Sequence, residues 1–122
     1  MENVKILFLL FGVIMLFILL INSVRAVNIT NCTDLQDMQN NLAENYVLAN
    51  NIDCSDTINW NSNAGFVPLG DSVNSFIGNF DGRGNNISNL FINRSSSNYQ
   101  GLFGYVGIGA GNIQNIGLIN VH

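Results

Sequence analysis

Phe76-Ile77-Gly78-Asn79-Phe80 is echoed 26 positions later by Leu102-Phe103-Gly104-Tyr105-Val106, and Asn86-Ile87-Ser88-Asn89-Leu90 by Asn112-Ile113-Gln114-Asn115-Ile116 at the same spacing. Glycine falls on glycine, asparagine on asparagine and apolar on apolar. Past Leu90 the register breaks, because Phe91 meets Gly117, unless Gly117 is an extra bulged residue and Ile92-Asn93 matches Ile119-Asn120. A period of roughly 20 to 50 residues belongs to stacked supersecondary units, none of which can bury its apolar face alone. The spacing therefore predicts an all-β chain: a parallel solenoid of few rungs.

On this reading Phe76, Phe80, Ile87, Leu90 and Ile92 point inward on one rung. Leu102, Val106, Ile113, Ile116 and one of Leu118 or Ile119 lie above them. Asn86 over Asn112 and Asn89 over Asn115 would form amide ladders between rungs about 4.8 Å apart. Asp81-Gly82 has the form of a hairpin turn. Its absence from the second copy makes Asp81–Asn85 a corner instead.

Upstream, Thr33-Asp34-Leu35-Gln36 has capping-box spacing, and Leu35, Met38 and Leu42 recur at helical intervals. These predict a short amphipathic helix ending near Glu44 or Asn45, acting as a lid over the stack. Tyr46–Ala49 with Ile52 reads as the first strand, and 60–71 as a loop in which Trp60 and Phe66 pack inward.

The chain begins with an apolar run, Ile6–Ile21, followed by Asn22-Ser23 and Val24-Arg25-Ala26. A helix of that length spans about 24 Å, short of a hydrocarbon core of ~30 Å. Residues 1–26 thus read as a cleaved signal peptide, with an uncleaved anchor as the alternative. The remaining organisation is 27–45, an N-terminal segment with the capping helix, and 46–122, the rungs.

From Val27 onward seven acidic side chains face only Arg83 and Arg94, and no lysine occurs. A surface of net charge −5 repels phosphate backbones, which argues against nucleic acid as a partner. Cys32 and Cys54 form a lone pair in an exported chain, which reads as a disulfide before a free or reactive thiol. Two thiols cannot fill a metal's tetrahedral shell.

Phe76–Gly84, Ile87–Ile92 and Gly101-Leu102-Phe103-Gly104-Tyr105 resemble the GLUG-motif repeat of bacterial and archaeal surface proteins. Cys32–Gln36 and Tyr46–Cys54 are similar to the segment that often precedes such repeats. The resemblance covers nearly all of 32–121. It implies a right-handed, pectate-lyase-like β-helix in secreted adhesins and in accessory regions of surface proteases, and it implies no catalytic residues, cofactor or metal.

The alternative is a carbohydrate-active enzyme. Glycoside cleavage needs two carboxylates roughly 5 to 10 Å apart, for which Asp53, Asp56 and Asp81 are the candidates. A lyase base would have to be Arg83 or Arg94. Asp53 with Asp56, or Asp34 with Asp37, could meet calcium, but without an EF-hand pattern. All of these aspartates also suit turns. The expected function is a non-enzymatic surface module offering a rigid face to glycans or proteins. Phe91, Tyr99 and Tyr105 are the candidates for that face. An apolar final strand leads to the further expectation that the chain is a truncated product, a fragment of a larger surface protein without independent activity, or that a second copy or another chain covers that end.

Overall fold

A computed structural model describes residues 4–5 and 25–122. The apolar run Ile6–Ile21, and with it the signal-peptide or anchor reading, lies outside the described residues. Seven short strands follow: β1 (Val27–Ile29), β2 (Tyr46–Leu48), β3 (Ile52–Asp53), β4 (Phe80–Asp81), β5 (Asn86–Ser88), β6 (Ile113–Gln114) and β7 (Gly117–Ile119). Every pairing between them is parallel, in two sheets ordered β1-β2-β4-β6 and β3-β5-β7. From β2 onward the chain alternates between the sheets, so β2–β3, β4–β5 and β6–β7 are successive tiers.

Parallel neighbours cannot be joined by a tight hairpin. Here, from β2 onward, the chain runs through a corner into the other sheet and returns one tier later. Asp81–Asn85 is such a corner, as expected, with Arg83 (φ 51) and Gly84 (φ 78) in the left-handed region. Asn89, Asn115 and Asn120, with φ between 51 and 57, end β5, β6 and β7 in the same way. Asparagine tolerates that conformation better than other residues with a Cβ.

The stacking interval differs from the 26-residue echo. Phe80 pairs with Ile113, Ile87 with Leu118 and Asn86 with Gly117, while single parallel bridges join Leu69 to Phe103 and Phe76 to Val106. Asn86 therefore does not stack on Asn112, nor Leu102 on Phe76. Each tier holds two similar strand-and-corner units, one per sheet. The echo matches β5 in the second sheet to β6 in the first, an interval shorter than a full tier.

Two columns run through the core, Tyr46–Phe80–Ile113 and Ile52–Ile87–Leu118. Phe76, Phe80, Ile87 and Leu90 are fully buried. In the last tier the inward positions are open: Ile113 is 36% exposed, Val106 44% and Leu118 47%. Ile92 and Ile116 are half-buried against the core.

The first strand is β1, not Tyr46–Ala49 as the sequence suggested. It has no companion in the second sheet. In that place comes α1 (Cys32–Asp37), then a 3-10 turn, Met38–Asn40, which together carry Leu35 and Met38 into the core. The cap also differs from expectation. Asn31, not Thr33, caps α1, its Oδ1 accepting the Asp34 N–H at 2.8 Å. Asp34 Oδ2 accepts the N–H and hydroxyl of Thr30 at 2.9 and 2.7 Å, which satisfies the donors before the first turn. The helix stops short of Glu44 because its continuation is recruited elsewhere. The Leu42 carbonyl accepts from Ile77 and Gly78, and the Asn41 carbonyl accepts the Tyr46 hydroxyl.

Candidate functional site

Loops 39–43, 67–75 and 93–99 line an open groove of about 880 Å³. Each is pinned by its own hydrogen bonds. Leu42 is held as above, and the side chain of Gln36 bonds both backbone groups of Val67. Asp71 closes a turn with its Oδ1 on the N–H groups of Val73 and Asn74, at 2.8 and 2.7 Å, which holds its carboxyl below the usual range, chiefly through the Asn74 bond. The Asn93 N–H donates to the Ala64 carbonyl.

Arg94 is half-buried in this groove. Its Nε donates to the Phe66 carbonyl at 3.1 Å and its Nη2 to the Gly65 carbonyl at 3.2 Å, which fixes the guanidinium plane on neutral acceptors. Gln100 Nε2 holds the same loop by donating to the carbonyls of Arg94 and Ser97. Tyr99, 40% exposed, lines the groove with its ring edge-on to Tyr105 at 5.6 Å.

Of the three expected face residues, Tyr99 lines the groove and Tyr105 packs its ring on Tyr99 from outside it. Phe91, like Tyr105, is not among the groove residues. Its backbone is locked in the stack, with its N–H on Thr57 Oγ1 and its carbonyl accepting from Phe66. Arg94, which the sequence offers only as a lyase base, and Asp71 are groove residues that sequence reasoning missed. For Arg94 a weak signal exists: it is one of only two cations after Val27, beside a serine run.

Two of the three candidate carboxylates, Asp53 and Asp81, do other work. Asp53 ends β3, and its Oδ1 accepts Asn89 Nδ2 at 2.9 Å and the Ser55 N–H at 3.0 Å. Asp81 ends β4, and its Oδ1 accepts the Arg83 N–H at 2.9 Å and Asn115 Nδ2 at 3.1 Å. An aspartate at a strand end is thus tied to a left-handed asparagine one tier on, once in each sheet. These bonds favour the charged form, so Asp53 is held below the ordinary carboxylate range by the Asn89 bond foremost, and Asp81 by that from Arg83. A general acid needs the opposite shift. Asp34 is lowered likewise, mainly by the Thr30 hydroxyl. Among the described residues no group of three His, Cys, Asp or Glu side chains is placed to hold a metal ion.

The expected amide ladders give way to asparagine side chains that accept from the next tier at the strand starts, and among the described residues only Asn45 and Asn79 pair side chain to side chain. Asn45 Oδ1 accepts the side-chain and backbone N–H of Asn79, and Asn79 Oδ1 accepts the Asn112 N–H at 2.9 Å. Asn51 Oδ1 does the same for the Asn86 N–H at 2.8 Å.

Cys32 and Cys54 are joined in a disulfide with Cα atoms 5.3 Å apart, linking α1 to the end of β3. In Gly101-Leu102-Phe103-Gly104, Leu102 is buried and its carbonyl accepts from Leu69. Phe103 packs its ring on Phe76 and Phe80, with centroids 4.8 and 5.5 Å away. Gly104 passes so close to Gly70 that a Cβ would stand 2.5 Å from the Gly70 carbonyl oxygen. The tetrad is a packing device.

No known family profile matches the chain, and neither does any solved structure. It is 40% identical over 81 residues to Halomucin of Haloquadratum walsbyi, a match spanning 64% of this chain and 1% of that protein. It is 49% identical over 43 residues to a putative Gly-rich membrane protein of Evansella cellulosilytica, spanning 35% of this chain and 5% of that one. The chain thus spans a small part of the length of these relatives, and its likeness is to segments of surface-type and membrane-associated proteins.

Proposed function

We propose that the chain is a non-enzymatic, exported surface module of adhesin-like character, whose tiers are rungs of a right-handed parallel β-helix carrying GLUG-type repeats. It presents a rigid lateral face to glycans or proteins. The observation that supports this most directly is the employment of Asp53 and Asp81. Both carboxylates are consumed as struts between tiers, and both are made more acidic by the bonds they accept. What remains for recognition is a preorganised groove, and preorganisation lowers the entropic cost of binding. The relatives' names agree with a surface setting.

The test is incubation of the exported chain with neutral and acidic polysaccharides, followed by assay of reducing ends and unsaturated uronates. The expected result is no release above a blank, and release would return the chain to the carbohydrate-active enzymes. The apolar face around Ile113 and Leu118 belongs to the same proposal as a contact face for another polypeptide. A sedimentation series that finds a monomer at all concentrations would exclude a second copy as its occupant.

A further inference from the structure

The groove's chemistry is narrower than a generic adhesive face. Its formal charges are one carboxylate, Asp71, and one guanidinium, Arg94, so it is neutral as a whole within a chain of net acidic charge. Most of its other polar groups are amides and hydroxyls, including Asn40, Asn74, Asn93 and the serines of 95–97. Such groups both donate and accept, as sugar hydroxyls do. A phosphate- or sulfate-rich polymer would find one cation and a repulsive surrounding field. A purely apolar ligand would strand these polar groups without partners.

Two features give the groove direction. The guanidinium is already oriented by two backbone carbonyls, and its Nη1 has no partner among the described residues. It can therefore donate to ligand oxygens without first being ordered. Tyr99, 40% exposed and in T-shaped contact with Tyr105, brings an aromatic ring with a polar tip to the groove. A pyranose has matching halves, an apolar C–H face and a rim of hydroxyls.

Resting on the surface-module reading, we infer that this groove binds a neutral oligosaccharide. The ring of one sugar lies on Tyr99, and its hydroxyls are met by Arg94, Asp71 and the flanking amides. Anchors of this kind, already fixed before binding, carry most of the affinity of a small site.

The experiment is isothermal titration calorimetry of the intact exported chain with short gluco-, manno- and galacto-oligosaccharides, with polygalacturonate as the acidic comparator. Binding of at least one neutral oligosaccharide is expected, with a Kd on the order of 1 mM or tighter. Tyr99→Ala and Asn93→Ala should each weaken it, the former by about tenfold. Arg94→Lys should also weaken it, since an ammonium cannot reproduce the planar fork. Phe91→Ala, outside the groove, should leave affinity unchanged. Thermal melts of each variant verify folding, and Asn93→Ala serves if Tyr99→Ala fails to fold. Absence of binding at about 10 mM of every neutral sugar overturns the inference, as does a preference for polygalacturonate. Binding indifferent to all three groove substitutions overturns this site while leaving the surface-module reading intact. Cleavage of the bound sugar would overturn that reading itself.

Discussion

The side chain of Gln36 grips Val67 at both of its backbone groups: Nε2 donates to the Val67 carbonyl at 3.0 Å and Oε1 accepts the Val67 N–H at 2.8 Å. A side-chain amide has here taken the place of a strand edge, fastening α1 to the loop that lines the groove.

Gln36→Ala leaves a donor and an acceptor of Val67 without partners in a half-buried setting, at a cost of about 1 to 3 kcal/mol. Urea unfolding measures it as a lower midpoint at unchanged slope. Gln36→Glu, which keeps the acceptor but loses the donor, should also lower the midpoint. A midpoint equal to that of the parent in both variants would show that the clamp contributes nothing.

Asp53 and Asp81 have folded-state pKa values depressed by Asn89, Arg83 and their neighbours. Depressed carboxylates contribute stability above their unfolded-state pKa, and that contribution is lost as pH falls through the lower folded-state value. The protein should therefore lose stability as pH falls below about 4. In a carboxyl NMR titration both aspartates should have midpoints below the ordinary aspartate value of 3.8. Asn89→Ala should raise the Asp53 midpoint and leave that of Asp81 in place.

Along one column, Phe80 is fully buried and Ile113 is 36% exposed. Phe80→Ala should cost about 3 to 5 kcal/mol, because the cavity lies between two tiers. Ile113→Ala, at the open edge, should cost under about 1.5 kcal/mol. Equal costs from chemical denaturation would mean that the last tier is as closely packed as the middle one.

Gly104→Ala forces a methyl against the Gly70 carbonyl oxygen. It should destabilise by more than about 2 kcal/mol, the range of an overpacked interior. At Gly84, with φ 78 and open space around it, alanine meets only backbone strain and should cost about 1 kcal/mol. Thermal melts of the two variants separate steric crowding from strain.

Reduction of the Cys32–Cys54 bridge frees a loop of sequence separation 22. On the chain-entropy view this removes about 3 kcal/mol. The melting temperature should fall on adding a reductant, and a Cys32→Ser, Cys54→Ser double variant should match the reduced protein. An unchanged melt with both thiols demonstrably free would contradict the estimate.

The sequence by itself determined the composition of the tiers. Apolar residues at Phe76, Phe80, Ile87 and Leu90 had to be buried, Asp81–Asn85 had to turn a corner, and the capping and pairing chemistry of residues 30–54 was visible in its residue types. Periodicity and side-chain character are local properties, so they survive in a linear reading. Only the tertiary structure decided which tier residue meets which. The 26-residue echo joined Asn86 to Asn112, whereas the sheets place Asn86 beside Gly117 and set Asn112 on Asn79. In the same way it chose Asn31 over Thr33 as the cap and gave Gln36 to Val67 rather than to its own helix. It also gathered Arg94, Asp71 and Tyr99 into one groove. Apart from the local choice of cap, these choices depend on contacts more than 20 residues apart in the chain, as Gln36 with Val67 and Arg94 with Phe66 illustrate. Short-range preferences of about 1 kcal/mol yield to such contacts once burial and several backbone hydrogen bonds act together.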